Sequence, residues 1–340
     1  EGRPLHEWGF WNLLSRSMSN EAYTCVRDLV SSYSFFANWN AYDAIFSLLN
    51  EMTGDWYKLP QGYQDLATSL RKDLEERDIS IHLNHPVSRI SRTDEGLLEL
   101  TLNSSRGEKR VRARQVILTV SSLGIARLFQ ESGLPGASQV QDELASIQSV
   151  PACKIFLTFK QPWWRDVPDG PGRISSGTFS VSHTDLPMRQ CYYLGVDPQT
   201  SEGLLLASFG DAQSVPFWAT LVSDTGRPGH LTSSLPAIAI QEIRRQLGEM
   251  HGIEVPDPDK SMFVDWSCWP YEGAWHAWRP GWKSWEVMER LRNPDESLPL
   301  YICGECLCAH QGWVEGALAS AECMLQQYFG LSNPEWISSD

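Results

Sequence analysis

The sequence predicts an α/β (α+β) fold in which one layered domain is entered twice and a mixed-sheet domain is inserted between the two visits, all preceded by a helical segment. Three observations predict it. The buried-looking run Val116–Val120 is matched far downstream by a second short apolar strand, Leu300–Cys303. Helix-period and strand-period stretches alternate around the first run, the pattern of a layered α/β domain. Between the two visits the composition shifts to longer strands and aromatic loops. The resulting divisions are 1–55 (helical), 56–122 (layered domain, middle part), 123–295 (inserted domain), 296–330 (layered domain, C-terminal part) and a tail, 331–340.

In the first segment Trp8, Trp11 and Leu14 recur at helical spacing without strand alternation. Ser19 can cap a helix that carries Glu21 in its first turn, and Asn40 can cap Ala41–Asn50. Leu59-Pro60-Gln61-Gly62 breaks the chain. Tyr63, Leu66, Ala67, Leu70 and Leu74 then form one apolar helical stripe. Strand alternation follows at Ile79, Ile81 and Leu83, then at Val87–Ile90, Leu98–Leu102 and Val111, with Gly107 marking a turn. In the inserted domain Cys153, Ile155, Leu157 and Phe159 share one strand face, which leaves Lys154 and Phe156 on the other. Further strands are expected at Gln190–Leu194, Gly203–Ser208 and Met262–Trp266, with a helix over Leu235–Leu247. After Leu300–Cys303 comes a turn at Gly304-Glu305, a loop with Gly312, and a helix opened by Trp313. That helix carries Gly316, Ala317, Ala319, Ser320 and Ala321, small residues that let a large flat group approach the backbone.

With 340 residues, 42% hydrophobic and 21% charged, the composition is that of a globular chain with room for two domains. A net charge of −14 opposes nucleic acid and anionic membrane surfaces as partners. No apolar run reaches the roughly 18 residues that span a bilayer, and the N-terminus lacks the form of a signal peptide. A cytoplasmic location is the expectation. Starting at Glu1 suggests a processed N-terminus. The eight cysteines lack the spacing of a disulfide framework and read as reduced thiols. Cys303, Cys306 and Cys308 have no partner pair for a tetrahedral metal site, so no metal is expected.

Two stretches hold candidate chemistry. Lys154, amid Cys153, Ile155 and Phe156, reads either as a snorkelling edge residue or as a buried amine for hydrogen bonding and proton transfer. The run Trp266–Trp282 reads either as a core corner or as an aromatic wall for a flat ligand or apolar substrate, and Trp313 belongs with it. Asp265, Glu272, Glu305 and Glu315 offer carboxylates which, with the tryptophans, would suit a glycoside-cleaving or carbohydrate-binding domain. No nucleophile elbow, His-Glu-x-x-His or Walker motif occurs.

Four separated stretches resemble the flavin-dependent amine oxidases, and within them the L-amino acid oxidases and amino acid 2-monooxygenases. Val150–Arg165 resembles the strand bearing the lysine that holds a water beside flavin N5. Thr184–Tyr193 is similar to a stretch of the L-amino acid branch, Tyr271–Pro280 to the segment that places a substrate-facing residue, and Leu300–Leu325 to the closing flavin motif. A fifth stretch, Trp8–Trp39, is similar to a region of the phenylalanine oxidase and tryptophan monooxygenase types.

The resemblance implies FAD as cofactor and an incomplete FAD-binding Rossmann-like domain, since members open with a Gly-x-Gly-x-x-Gly turn that this sequence lacks. It implies a companion N-terminal chain that carries this motif and the arginine for the substrate carboxylate, hence a hetero-oligomer. The implied reaction oxidises an L-amino acid with oxygen to a 2-oxo acid, ammonia and hydrogen peroxide, or, in the monooxygenase variant, to an amide. A partner that keeps the fold without the cofactor is a further reading. Carried over residue by residue, Lys154 is catalytic, and Trp275, Trp313 and Tyr193 face the substrate. Trp266 packs near the flavin ring, and Gly304 and Glu305 lie by the ribityl and pyrophosphate. Gly312, Val314 and Ala317, with Trp313, offer backbone to the flavin, and Val87 does so near the adenine.

Overall fold

The computed structural model describes residues 2–29, 39–53, 59, 62–105, 107–167, 180–223, 231–268, 273 and 275–333. The expected break at Pro60-Gln61, most of Trp269–Ala274, parts of the first segment and most of the tail lie outside the described residues.

Helices α1 (Phe10–Ser17), α2 (Asn20–Leu29) and α3 (Ala41–Thr53) form the N-terminal layer. Both expected caps are made: Ser19 Oγ accepts from Ala22 N at 3.2 Å and Asn40 Oδ1 from Tyr42 N at 3.0 Å, each satisfying a helix-end donor. Asn40 also donates through Nδ2 to Trp282 O, and its backbone N donates to Trp278 O. The layer is thereby fastened over the second half of the chain, with a core of Phe10, Trp39, Ala41, Ala44, Val150 and Ala277 against which Trp275 packs.

Helix α4 (Gln64–Glu75) follows, then β1 (Val87–Arg92), β2 (Leu98–Ser104) and β3 (Gly107–Ala113), an antiparallel three-stranded sheet. Next come β4 (Val116–Leu118), α5 (Ser122–Ser132), α6 (Ala137–Leu144) and β5 (Ile147–Val150). The inserted domain holds β6 (Ala152–Phe159), β7 (Ser180–His183), β8 (Gln190–Val196), β9 (Gly203–Asp211), α7 (Ser214–Val222), β10 (Leu231–Ser233), α8 (Ala237–His251) and β11 (Lys260–Asp265). The chain returns through β12 (Trp275–Trp278), α9 (Ser284–Arg292), β13 (Leu300–Ile302) and α10 (Val314–Phe329).

The two apolar runs that signalled a domain entered twice do meet. β13 pairs with β4 in parallel, Tyr301 opposite Ile117. They share one core with Ile90, Leu98, Ile125, Phe129, Leu144, Trp278, Val287 and Leu291. Helices α5 and α6 therefore belong to this core, although the sequence division at 123 assigns them to the inserted domain. Gly124, Gly133, Pro135 and Gly136 interrupt the helical pattern there and hide it.

The inserted sheet runs β10-β11-β6-β9-β8-β7. It was expected as mixed, and each ladder between its strands is antiparallel, since tight connections such as the one from β8 to β9 allow only that sense. Cys153, Ile155, Leu157 and Phe159 pack with Trp163, Trp218, Ile243 and Leu247 under α7 and α8. Each such aliphatic side chain contributes about 1.5–3 kcal/mol by leaving water. Ile79, Ile81 and Leu83 depart from expectation: they form no strand and are 50%, 44% and 68% exposed, because no strand among the described residues pairs with them.

Asp43 is an internal test of this packing. It is buried in the first turns of α3, where its Oδ1 accepts from Ser284 Oγ at 2.7 Å and its Oδ2 has no hydrogen-bond partner. Burial, only partly opposed by the Ser284 hydroxyl, pushes its carboxyl up to about 7. A folded-state value above the unfolded one favours the protonated folded form. This contribution is complete below the ordinary carboxylate range and is lost as pH rises from there to about 7. Asp43→Asn is expected to remove that slope in urea titrations and to stabilise the protein by about 1–3 kcal/mol at pH 8.

Candidate active site

The site grows from the face of β6 turned away from the inserted core. Period-2 alternation sends Lys154 to that face while Cys153 and Ile155 are fully buried on the other. Register then decides its neighbours. Lys154 lies opposite Phe209 of β9 and Val264 of β11. Its Nζ stands 4.6 Å from the centroid of the Phe209 ring and 5.3 Å from that of Trp266. Burial pushes the Lys154 amine below its ordinary value, and the two ring faces offset part of the cost of holding the cation there.

Trp266 is fixed by the backbone, donating to Ala152 O at 3.1 Å and accepting from Gly273 N at 3.2 Å. Asp265, just before it, is buried and spends its carboxylate on the turn, accepting from Ser267 N, Ser267 Oγ and Cys268 Sγ.

β12 lies against β5, with Trp275 opposite Val150. The Trp275 ring meets Trp39 of the N-terminal layer edge to face, centroids 5.8 Å apart. On its other side it lies against Gly312, where an added Cβ would be 3.4 Å from Trp275 Cε3. Trp313 follows as the N-cap of α10, its ring 5.9 Å from that of His310. The tryptophan run thus divides. Trp275 and Trp266 line the site, whereas Trp278 is a fully buried core residue whose Nε1 donates to Cys308 O at 3.0 Å. Among the described tryptophans only Trp285 is exposed, which leaves little open ring surface for a sugar.

The loop between β13 and α10 is lined with glycines at close approaches. Gly304 has φ +125°, which only glycine holds without strain, and its missing Cβ leaves the Thr119 backbone 3.9 Å away. Its N–H donates to Ser320 Oγ, which in turn donates to Leu307 O. At Gly316 a Cβ would fall 2.1 Å from His310 O and 2.5 Å from Cys308 Sγ, so the loop rests directly on the helix backbone. Ala317 is half-buried, and Val314 and Leu318 are exposed. No two cysteines among the described residues are joined in a disulfide, and no cluster among them could hold a metal ion.

Tyr193 sits differently from expectation, and Glu305 and Val87 are tied to protein neighbours. Glu305, expected beside the ribityl and pyrophosphate, spends both carboxylate oxygens on protein donors: Oε2 accepts from His276 Nδ1, and Oε1 from His276 N and Gly312 N. Burial alone would push Glu305 up; the His276 and Gly312 donors outweigh it and hold its carboxyl low. Tyr193 lies on the core face of β8, packed with Trp164 and hydrogen-bonded to His251 Nε2 at 2.6 Å. Its neighbour Tyr192 takes the Lys154 side, 6.3 Å from Phe209 between centroids and donating to Gln190 Oε1 at 2.6 Å. Val87 opens β1, in a different sheet from the other candidates, and packs on the core that β4 and β13 share. Sequence reading also passed over Phe209 and His276. Phe209 becomes visible only through strand pairing, and His276 only through its contact with Glu305.

The two tyrosines give a paired expectation. Tyr193→Phe should cost about 1–3 kcal/mol of stability by orphaning buried partners, and should leave substrate affinity unchanged. Tyr192→Phe should change affinity and leave the urea midpoint nearly unmoved.

Comparison with known proteins bears on the fold and the family. The family described as flavin containing amine oxidoreductase matches residues 11–322. Aplysianin-A of Aplysia kurodai is 26% identical over 97% of this chain and 62% of its own length. Achacin of Lissachatina fulica is 26% identical over 74% of this chain and 49% of its own. The L-amino-acid oxidase of Mus musculus is 25% identical over 80% of this chain and 38% of its own. The chain therefore spans about half to three fifths of the length of the first two relatives. Among solved structures, a putrescine oxidase double mutant superposes with a TM-score of 0.70 at 17% identity, covering 97% of this chain and 70% of that one. At that identity the likeness is one of fold.

Proposed function

This chain belongs to the flavin containing amine oxidoreductase family, and from that premise we propose that it forms the substrate-facing part of an FAD-dependent enzyme oxidising an L-amino acid to a 2-oxo acid, ammonia and hydrogen peroxide. The observation that carries the reading is Lys154, a half-buried amine between Phe209 and Trp266 on the face of β6 turned away from the inserted core. Gly304, at φ +125°, turns the chain beside the Thr119 backbone, and Gly316 lets the loop rest on α10, which leaves the first turn of α10, with Val314 exposed and Ala317 half-buried, to meet a flat ring. Gly304, Gly312, Val314 and Ala317 would hold the flavin there. When bound, FAD would supply a hydride acceptor for the substrate's α-carbon and a route for the electrons to oxygen.

The chain's own groups do the rest. Trp275 and Trp313 flank the substrate, the Trp39–Trp275 contact closes the site on the side of the N-terminal layer, and together they exclude water. Lys154 holds a water close to the reacting carbon and helps take the proton from the substrate amine.

The companion segment is part of the proposal. No Gly-x-Gly-x-x-Gly turn occurs in the sequence, so the pyrophosphate needs donors from elsewhere. Tyr63, Leu66 and Leu70 of the α4 stripe are exposed, as are Ile79, Ile81 and Leu83. Ile117, on one strand of the parallel pair, is exposed too, whereas parallel strands are ordinarily covered on both faces. These surfaces suit a companion that supplies the missing strand, the glycine turn and the carboxylate-binding arginine.

Product analysis tests the reaction. Incubation of the chain together with its companion and L-amino acids in air should give 2-oxo acid and peroxide in equal amounts. Amide would turn the assignment to a 2-monooxygenase, and absence of both would sink it.

A further inference from the structure

His276 is a polar side chain at the centre of the site for which the roles above have no use. It lies on β12 between Trp275 and Ala277 and is 3% exposed. Its two ring nitrogens face partners of opposite kind. Nδ1 makes a short hydrogen bond to Glu305 Oε2, and Nε2 faces the backbone N–H of Ser122, 3.4 Å away at the start of α5. An ionised carboxylate only accepts and a backbone amide only donates, so the ring must carry its proton on Nδ1 and accept at Nε2.

Glu305 completes the arrangement. Its Oε1 accepts from His276 N at 3.1 Å and from Gly312 N at 2.6 Å. One half-buried carboxylate therefore joins β12, the start of α5 through the imidazole, and the turn that leads into Trp313. Gly312 lies between that carboxylate and the Trp275 ring, so its position sets where Trp313 begins.

We infer that His276 is a positioning residue: by donating to Glu305 it holds Gly312 and thereby seats the Trp275–Trp313 pair that grips the substrate. The inference rests on the assignment of those two tryptophans to the substrate side. Without the imidazole, Glu305 Oε2 would lose its protein donor, and the carboxylate would be drawn from its hold on Gly312.

The test uses the full protein with its cofactor and compares His276→Leu with His276→Asn, whose amide falls near Nδ1 and can still donate to Glu305. In His276→Leu, amide exchange at Gly312 should quicken about tenfold or more, the size of a lost hydrogen bond to a charged group. KM for the L-amino acid should rise by a similar factor, with kcat changed less. His276→Asn should bring both back toward wild type. Nitrogen NMR of the wild type should find the imidazole proton on Nδ1. Unchanged exchange at Gly312 in the leucine variant, failed rescue by a folded asparagine variant, or a proton on Nε2 would overturn the inference. Should the leucine variant not fold, the asparagine variant and the NMR measurement decide. A wild type that oxidises no L-amino acid would sink the functional reading alone, because the exchange rate and the proton position are read without turnover.

Discussion

Lys154→Met should slow the reductive half of the reaction by about 100-fold or more, the scale on which a positioned proton acceptor acts, while the protein becomes harder to unfold. The two effects share one cause. Lys154 is a cation on a mostly buried face, its pKa lowered by burial, with Phe209 and Trp266 as its aromatic walls. Rings offset only part of the desolvation cost, so a methionine of similar length and no charge should be the more stable occupant. A rise in thermal midpoint together with a fall in rate separates this residue from a snorkelling edge lysine, whose loss would change neither. Stopped-flow reduction and a thermal melt on the same preparation read both. Full-rate reduction in Lys154→Met would remove the lysine from the mechanism.

Gly316→Ala is the smallest change expected to have a large structural effect. A methyl at that position would lie 2.1 Å from His310 O and 2.5 Å from Cys308 Sγ. The first atom is backbone and cannot rotate aside, so either α10 or the Cys308–Gly312 loop must move. Overpacking of this kind typically costs about 1–3 kcal/mol, and a backbone contact should place it at the upper end. Because the displaced loop carries Gly312 and Trp313, the loss should extend beyond stability to flavin retention and substrate affinity. Ala319→Gly, one turn away on an exposed face, is the control and should cost about 1 kcal/mol or less through helix propensity alone. Urea unfolding and flavin release on dilution measure the two consequences.

The lysine's face was legible from four residues. The alternation of Cys153, Ile155, Leu157 and Phe159 turns Lys154 outward whatever the rest of the chain does. Its aromatic walls were not legible, because Phe209 arrives through a ladder whose register shifts between Ile155 and Phe156, and a bulge leaves no local sequence signal. The same limit explains Tyr192 and Tyr193. Adjacent strand residues point to opposite faces, so a resemblance that lands one position away selects the core side chain.

Ile79, Ile81 and Leu83 carry the pattern of a strand without its partner, and pattern alone cannot form a ladder. The parallel pairing of β4 with β13 was readable in outline because both are short apolar runs. The helices α5 and α6 were masked by their glycines. His276 could not be read at all, since one histidine among tryptophans acquires meaning only beside Glu305.

The most direct test of the functional assignment is to purify the native complex of this chain with its companion, add L-amino acids one at a time without oxygen and follow the flavin's visible absorbance. Loss of that absorbance with an L-amino acid but not with its D-enantiomer, and its return when air is admitted, is the expected result. A native complex that carries no flavin, or whose flavin responds to no amino acid, would contradict the assignment.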